Sequence, residues 1–532
     1  MHNKEENALA RAWVLPAMLT AAAALVGATS ALAIVTSLGE VDELHDPVAE
    51  HVDQADLTTL VQAGHGEEAF ETAFDAGDEL FEVTFNALDG VGANVGDGQR
   101  FTRVPRADLD GPGEWRNHFP ARSTGPNAQA CNQCHLQPFD DGAGTAALAA
   151  HRDPLQSADL GSMIRRDVPH IFGAGALQRL AEEMTEELHG IRGALGAQVC
   201  ETGRRQRVDL WAKGLSFGSL SARPRRRRGD RSGCRARFDT RNLTGVADDL
   251  VVRPYQWKGE NAFLRDFNRG ASHNELGMQP VEIVGDGVDG DFDGVVGEMT
   301  IGDQTALAIY LAAQPRPTTK LELDDLGLLD EPLTDEERGS IILGSQVFVA
   351  VGCADCHQSE LTIDIPVFSE PSLNANYRDA VFPAGQDPVA RGLDPVHPVA
   401  FDLTRDHPDN VIEDDFGNVV RLGSFEVDAA GRAVVGLYGD LRYHDMGRGL
   451  AESIDEIGTG ESVWLTKELW GVGSTAPYLH DGRATTLTEA ILEHGGESAA
   501  SRGRFELLDL ADRQALVAFL DNLVLFKIVE EE

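Results

Sequence analysis

The chain has 532 residues, enough for two or three domains with substantial apolar cores. Hydrophobic residues at 42% and charged residues at 25% are ordinary for a globular protein. The formal net charge of -42 is not ordinary: it argues against nucleic acid and anionic membrane as partners and favours solubility and basic partner proteins.

Near the start of the chain, Arg11 precedes an uncharged run from Trp13 to Val35 that contains "ALA" ending at Ala33. A basic start, an apolar middle and a small-residue cleavage site predict a signal peptide over residues 1–33 and a mature protein outside the cytoplasm, in the periplasm or otherwise exported. Left uncut, the same run is long enough to serve as an N-terminal membrane anchor. No later stretch is long and apolar enough to span a bilayer.

Four of the six cysteines fall into two copies of one pattern: "CNQCH" (Cys131, Cys134, His135) and "CADCH" (Cys353, Cys356, His357). A Cys-x-x-Cys pair alone fits half a zinc site or a redox dithiol. The histidine that follows points to c-type haem, in which both thiols bond the porphyrin and the histidine ligates iron. Two such motifs in an exported chain predict two covalent haems.

The flanking elements repeat as well. "AGDELFEVTF" predicts an opening helix ahead of the first motif, and "LTDEERGSIILGSQVFVAVG" one ahead of the second, started by a capping box at Thr334 and Glu337. "DQTALAIYLAAQ" and "DRQALVAFLDNL" predict matching closing helices, pairing Asp303 with Asp512, Ala306 with Ala515, Leu307 with Leu516, Tyr310 with Phe519 and Leu311 with Leu520. The second is expected to carry its apolar face through Leu523. The fold class expected is mainly α: two cytochrome c-like domains, each with one covalent haem and long loop excursions, at 34–318 and 330–532. The segment between them, 319–329, reads as a linker, since the prolines of "QPRPTTKLELDD" cannot continue the preceding helix.

Between the motifs lie further candidates. The Arg-rich stretch at 223–237 is a solvated loop or a docking patch for an acidic partner, and its composition is foreign to its surroundings. Cys200 and Cys234 are candidates for a disulfide. Asp289, Asp291 and Asp293 have the spacing of a calcium-loop start, but the twelfth position is Thr300 and Glu298 comes two residues early, so a solvated acidic turn is the competing reading. Trp257 is an electron relay or a core residue.

Each iron needs a second axial position settled. Thr486 and Glu489 predict the start of a helix, Gly495 its C-cap, and Leu487, Ala490, Ile491 and His494 one face. His494 is therefore the expected distal ligand of the second haem; its alternative role is to cap the helix carbonyls. For the first haem, His273, Met278 and His170 are the candidates. His480, with Asp481 and Arg483, supplies a base, its orienting carboxylate and a cation, suited to cleaving an O–O bond. His444 with Asp445 is a second such pair.

"CNQCHLQPFDDGAG", "LYGDLRYHDMGRGL" and "LWGVGSTAPYLHDGRATTLTEAILEHGG" resemble the dihaem oxidoreductase family, whose members are described as thiol oxidoreductases or peroxidases and are related to bacterial dihaem cytochrome c peroxidases. The resemblance implies a dihaem oxidoreductase that passes electrons between its haems and a peroxide or small redox substrate, served by an electron-transfer partner protein. In the peroxidases a methionine ligates the C-terminal haem; His494 falls close to that position, and Met446 is the competing ligand. A protein that only transfers electrons, with two six-coordinate irons, is the alternative.

Overall fold

The computed structural model describes residues 46–92, 122–157, 159–226, 234–405, 411–413 and 419–526. The expected signal segment lies outside them. Among the described residues, no helix is long and apolar enough to cross a membrane.

The fold is built on two crossed helix pairs. In the first, α1 (Gln54–Gln62) and α2 (Gly66–Glu82) precede the first Cys-x-x-Cys-His motif. The long helix α3 (Ala174–Thr202) follows, with a sheet of β1 (Gln206–Ala212), β2 (Leu215–Arg226) and β3 (Cys234–Asp239) on it. After α4 (Leu264–Ala271) comes α5 (Ile301–Ala313), which closes the first pair. In the second, α6 (Asp335–Ala350) precedes the second motif, α7 (Leu487–Glu493) follows it, and α8 (Leu510–Asp521) closes.

The crossing point in both pairs is a glycine. A Cβ on Gly77 of α2 would lie 2.4 Å from the Ala306 carbonyl and 2.6 Å from Tyr310 Cβ of α5. A Cβ on Gly344 of α6 would lie 1.9 Å from the Ala515 carbonyl and 2.7 Å from Phe519 Cβ of α8. The two glycines thus meet the residues that the sequence pairs with each other, and neither site has room for a side chain. One turn on, Phe81 and Phe348 occupy matching places. Phe81 packs on Tyr310 and His135, with ring centroids 5.5 and 5.8 Å away; Phe348 packs on Phe519 and His357, at 5.3 and 6.5 Å. Each opening helix therefore locks to its closing helix through glycine and sets its motif histidine through phenylalanine.

The expected capping boxes form at Thr334–Glu337 and Thr486–Glu489, and another forms at Thr300–Asp303. Thr300 is thus spent on starting α5. That helix stops at Ala313 just before Pro315 and Pro317, as their chemistry requires.

Four expectations need correcting. The described residues carry seven small sheets of two or three strands, so strands share the architecture with helices. The segment 319–329 is no extended linker: Thr318–Thr319 pairs with Leu523–Val524, and the short helix Lys320–Asp325 buries Leu323 against Leu422 and Val524. The same pairing takes Leu523 out of α8, which ends at Asp521. Nor do residues beyond 330 pack only among themselves. Leu361, Ile363, Phe368, Tyr377, Val399 and Val435 join the core of α2, α3 and α5, and Val48–Glu532 is one compact unit. Helical periodicity shows that a face is buried but not what it is buried against.

A buried ion cluster crosses the same divide. Arg265 of α4 donates to Glu282 at 2.6 Å, to Thr305 at 2.8 Å and to Glu370 at 3.0 Å; Arg269 donates to Glu282 at 2.7 Å and Asp379 at 2.9 Å. Both arginines and both glutamates are buried, so the charges are tolerable only as a set.

Candidate functional site

The second motif opens onto a cavity of about 300 Å³. Cys353, Cys356 and His357 form one wall, and His494, Ala490, Ile491 and Leu487 of α7 and its end form another. Met446, His444, His480, Trp464 and Trp257 line it too, as do His170 and Trp470. Both candidates for the second iron's distal ligand, His494 and Met446, thus line one space with the motif histidine.

Backbone hydrogen bonds fix the tautomers of the key imidazoles. His357 Nδ1 lies 3.0 Å from the Tyr438 carbonyl, His494 Nδ1 2.8 Å from Ala490 and His135 Nδ1 3.3 Å from Gly142. A carbonyl only accepts, so Nδ1 carries the proton in each and Nε2 keeps its lone pair, the arrangement of a metal ligand held by an outer hydrogen bond. Burial pushes His357 down to about 4, helped by the nearby His494, and His135 likewise to about 4. Burial also lowers His494. All three are neutral at ordinary pH, as iron ligation requires. This shared tautomer is not visible in the sequence, which does not say which carbonyl each ring meets.

His494 terminates α7 rather than lying inside it, and Gly495 is extended; the left-handed glycine is Gly496, with φ +52°. The His494 ring still bonds the carbonyl four residues back, which combines the capping role with a nitrogen left over for the cavity.

The catalytic constellation expected around His480 is only partly assembled. His480 is buried, lines the cavity and stacks on Trp464 with centroids 3.9 Å apart. Burial lowers its pKa to about 3, opposed by Asp481 and reinforced by Arg166, Arg483 and Lys258. Asp481 does not orient it: the closest approach is 3.9 Å, too long for a hydrogen bond, and both Asp481 oxygens go to Arg483 Nε at 2.8 and 2.9 Å. Arg483 points away, onto the Gly449 carbonyl. An i,i+2 carboxylate–guanidinium pair closes a local turn more readily than it reaches an imidazole. His444 is likewise not paired with Asp445. Its Nε2 meets buried Asp440 at 3.0 Å and its Nδ1 meets Glu497 at 2.9 Å, while Cys356 Sγ lies 3.9 Å away. Burial would lower this histidine, but Asp440, Cys356 and Glu497 together push it up to about 10.

Around the first motif, Cys131 and Cys134 pack on the large core. His170 lies close enough to His135 to affect its titration; its Nε2 meets the Trp470 carbonyl at 3.1 Å, and its buried Nδ1 has no partner. His273 and Met278 lie on the turn after α4, where the His273 ring bonds the Met278 carbonyl at 3.2 Å. That turn packs on residues 127–128, just ahead of the motif, through two bonds to the Glu275 carbonyl. Trp257 lines the second cavity and donates Nε1–H to the Asp167 carbonyl at 2.9 Å.

Elsewhere, Asp289, Asp291 and Asp293 bring carboxylate oxygens within 4.8 Å of one another. Buried Glu298 has one oxygen on the Gln279 N–H at 2.7 Å and the other without a partner; burial, Asp291 and Asp293 raise it to about 9. Cys200 and Cys234 are joined as a disulfide.

Paired thiols and a neutral imidazole thus line one largely apolar cavity, and the same Cys-x-x-Cys-His pattern recurs ahead of it in the chain. Residues 410–523, which supply most of the second cavity, match the family model "Di-haem oxidoreductase, putative peroxidase". No curated protein matches the chain. Among solved structures, "Crystal structure of a MauG-like protein associated with microbial copper homeostasis" is similar at 15% identity and TM-score 0.27, covering 54% of this chain and 76% of that one.

Proposed function

We propose that this chain is an exported dihaem c-type oxidoreductase with peroxidase-like chemistry, reducing a peroxide or another small redox substrate with electrons from a partner protein. The observation that carries the reading is the second cavity, where two thiols, a motif imidazole with its Nε2 free and a second such imidazole share one space. The donor set fits haem. Cys353 and Cys356 would bond the porphyrin, His357 and His494 would ligate its iron, and Arg502 in the cavity lining would bring a guanidinium to a propionate. Haem bound here supplies a redox-active iron.

The chain's own residues do the rest. Leu487, Ile491, Leu516 and Leu520 exclude water from the cavity. His480, neutral and stacked on Trp464, offers substrate a hydrogen-bonding imidazole from within the wall. Lys467 and Arg502 bring positive charge to the same space.

The test is electron paramagnetic resonance of the oxidised and half-reduced protein, with His494→Ala and Met446→Ala alongside. Loss of one low-spin signal in His494→Ala, with Met446→Ala unchanged, is expected. If His494→Ala left both haem signals intact, the ligand assignment would be wrong. Two haems that stay low-spin and refuse cyanide at every oxidation state would leave only the electron-transfer reading.

We further propose that Asp289, Asp291, Asp293 and Glu298 hold a calcium ion, because the orphaned Glu298 oxygen is buried beside three converging carboxylates. Calcium is expected to raise the melting temperature of chelator-treated protein, and Glu298→Gln to abolish most of that rise. An unchanged melting temperature on adding calcium would remove the proposal.

A further inference from the structure

Within the Arg-rich stretch, residues 223–226 and 234–237 are strands that lie outside the second cavity. They belong to β2 and β3, an antiparallel pair in which Arg223 stands directly opposite Arg237 and Arg225 opposite Arg235. All four side chains are exposed on one face, with Arg207 of β1 beside them. The alternating residues Ala236 and Phe238 turn the other way, onto Gly196 of α3, and the Cys200–Cys234 disulfide pins the same edge. Among the described residues, none of these five arginines forms an ion pair; the local acid Asp239 is taken by Arg205 and Arg241.

Like charges directly across a strand pair destabilise it, so this face carries a standing repulsion that its own fold does not relieve. The rest of the molecule is strongly acidic. The face has no apolar centre, which a stable protein–protein interface would have. It is built from guanidinium forks, the group best matched to phosphate oxygens, on strands tied to α3 by a disulfide. On the same sheet, and with the same outward alternation as Arg207, Trp211 is 52% exposed, as interfacial tryptophans are. Asp209 lies between them and subtracts one charge.

Position argues against electron entry. The arginine face sits on the C-terminal part of α3, whereas the N-terminal end of that helix touches Trp470 at the second cavity through Gly173. A helix of 29 residues puts roughly 40 Å between those ends.

We propose that the exposed face of β1–β3 docks the protein on an anionic phospholipid surface. Arg207, Arg223, Arg225, Arg235 and Arg237 meet the headgroup phosphates, and Trp211 seats at the interface. The overall charge argues against such a surface, but beyond about 8 Å that repulsion is screened at physiological salt, while the face itself is in contact. Repulsion of the acidic remainder then sets the orientation.

The test is sedimentation of the full holoprotein with vesicles of phosphatidylcholine alone or with one third phosphatidylglycerol, at low and at physiological salt. Binding is expected only to the anionic vesicles, weakening as salt rises. Each arginine near such a surface contributes about fivefold, so Arg225→Gln with Arg235→Gln should cut the binding constant roughly 25-fold. An unchanged haem spectrum and melting temperature would show that the variant is folded. Absence of binding at low salt, equal binding to both vesicle types, or binding that the double substitution leaves intact would each overturn the proposal. So would salt-sensitive retention on an immobilised acidic protein by a chain that ignores anionic vesicles.

Discussion

Replacing Gly344 by alanine tests whether the helix crossing, rather than helix propensity, controls the second half of the molecule. The new Cβ would stand 1.9 Å from the Ala515 carbonyl and 2.7 Å from Phe519 Cβ. To restore even 3.0 Å, α8 must recede from α6 by about 1.1 Å. Both close contacts are to parts that cannot rotate away, namely a backbone carbonyl and a Cβ. Forcing one methyl into such a core costs about 1–3 kcal/mol. Alanine also returns up to about 1 kcal/mol of helix propensity, so the expected net loss is about 1–2 kcal/mol. Gly339 supplies the control: it lies on the same helix, is exposed, and a Cβ there meets nothing within 4 Å. Gly339→Ala should therefore stabilise by about 0.5–1 kcal/mol. Urea denaturation of the two variants, followed by far-ultraviolet circular dichroism and by haem absorbance, should give shifts of opposite sign. Because α8 carries the Phe519 ring that packs on Phe348, and Phe348 sets His357, the Gly344 variant should also broaden the second haem's spectrum. Equal stability of the two variants would refute the crossing argument.

Removing the central cation of the buried ion cluster, by Arg265→Met, leaves Glu370 without its cation and Glu282 with Arg269 alone, and should destabilise by about 3 kcal/mol in urea. A loss under about 1 kcal/mol would show that the cluster readjusts. The hydrogen bond from His51 to Asp303, 2.8 Å long, raises the histidine above its ordinary value of 6.5. Its stabilisation is therefore complete below pH 6.5 and is lost as pH rises through the raised folded value. His51→Asn should cost stability at pH 6 and little at pH 9; an equal cost at both would sink the assignment.

Much of the frame was legible in the sequence because it rests on local chemistry. Capping boxes, prolines and the repeat of Ala306/Tyr310 as Ala515/Phe519 all act within a turn or two of themselves. The thiol–imidazole motifs are legible for the same reason. What failed depends on contacts between distant segments. The pairing of Asp481 with Arg483 rather than His480, and of His444 with Asp440 and Glu497 rather than Asp445, is decided by where two loops stop against each other. The basic run was hard to place because its eight arginines mask a plain two-residue alternation, in which Cys234, Ala236 and Phe238 are the inward markers on β3.

The shared core has a consequence for the history and the handling of the molecule. The two crossed helix pairs have the look of a duplicated ancestor, yet strands Leu361–Ile363 and Val367–Glu370 from the second copy now fill the interior of the first. Each copy has come to serve as part of the other's scaffold. A gene fragment encoding either copy alone would expose a torn interior, so shuffling or excising one haem unit is closed to evolution and to the engineer alike.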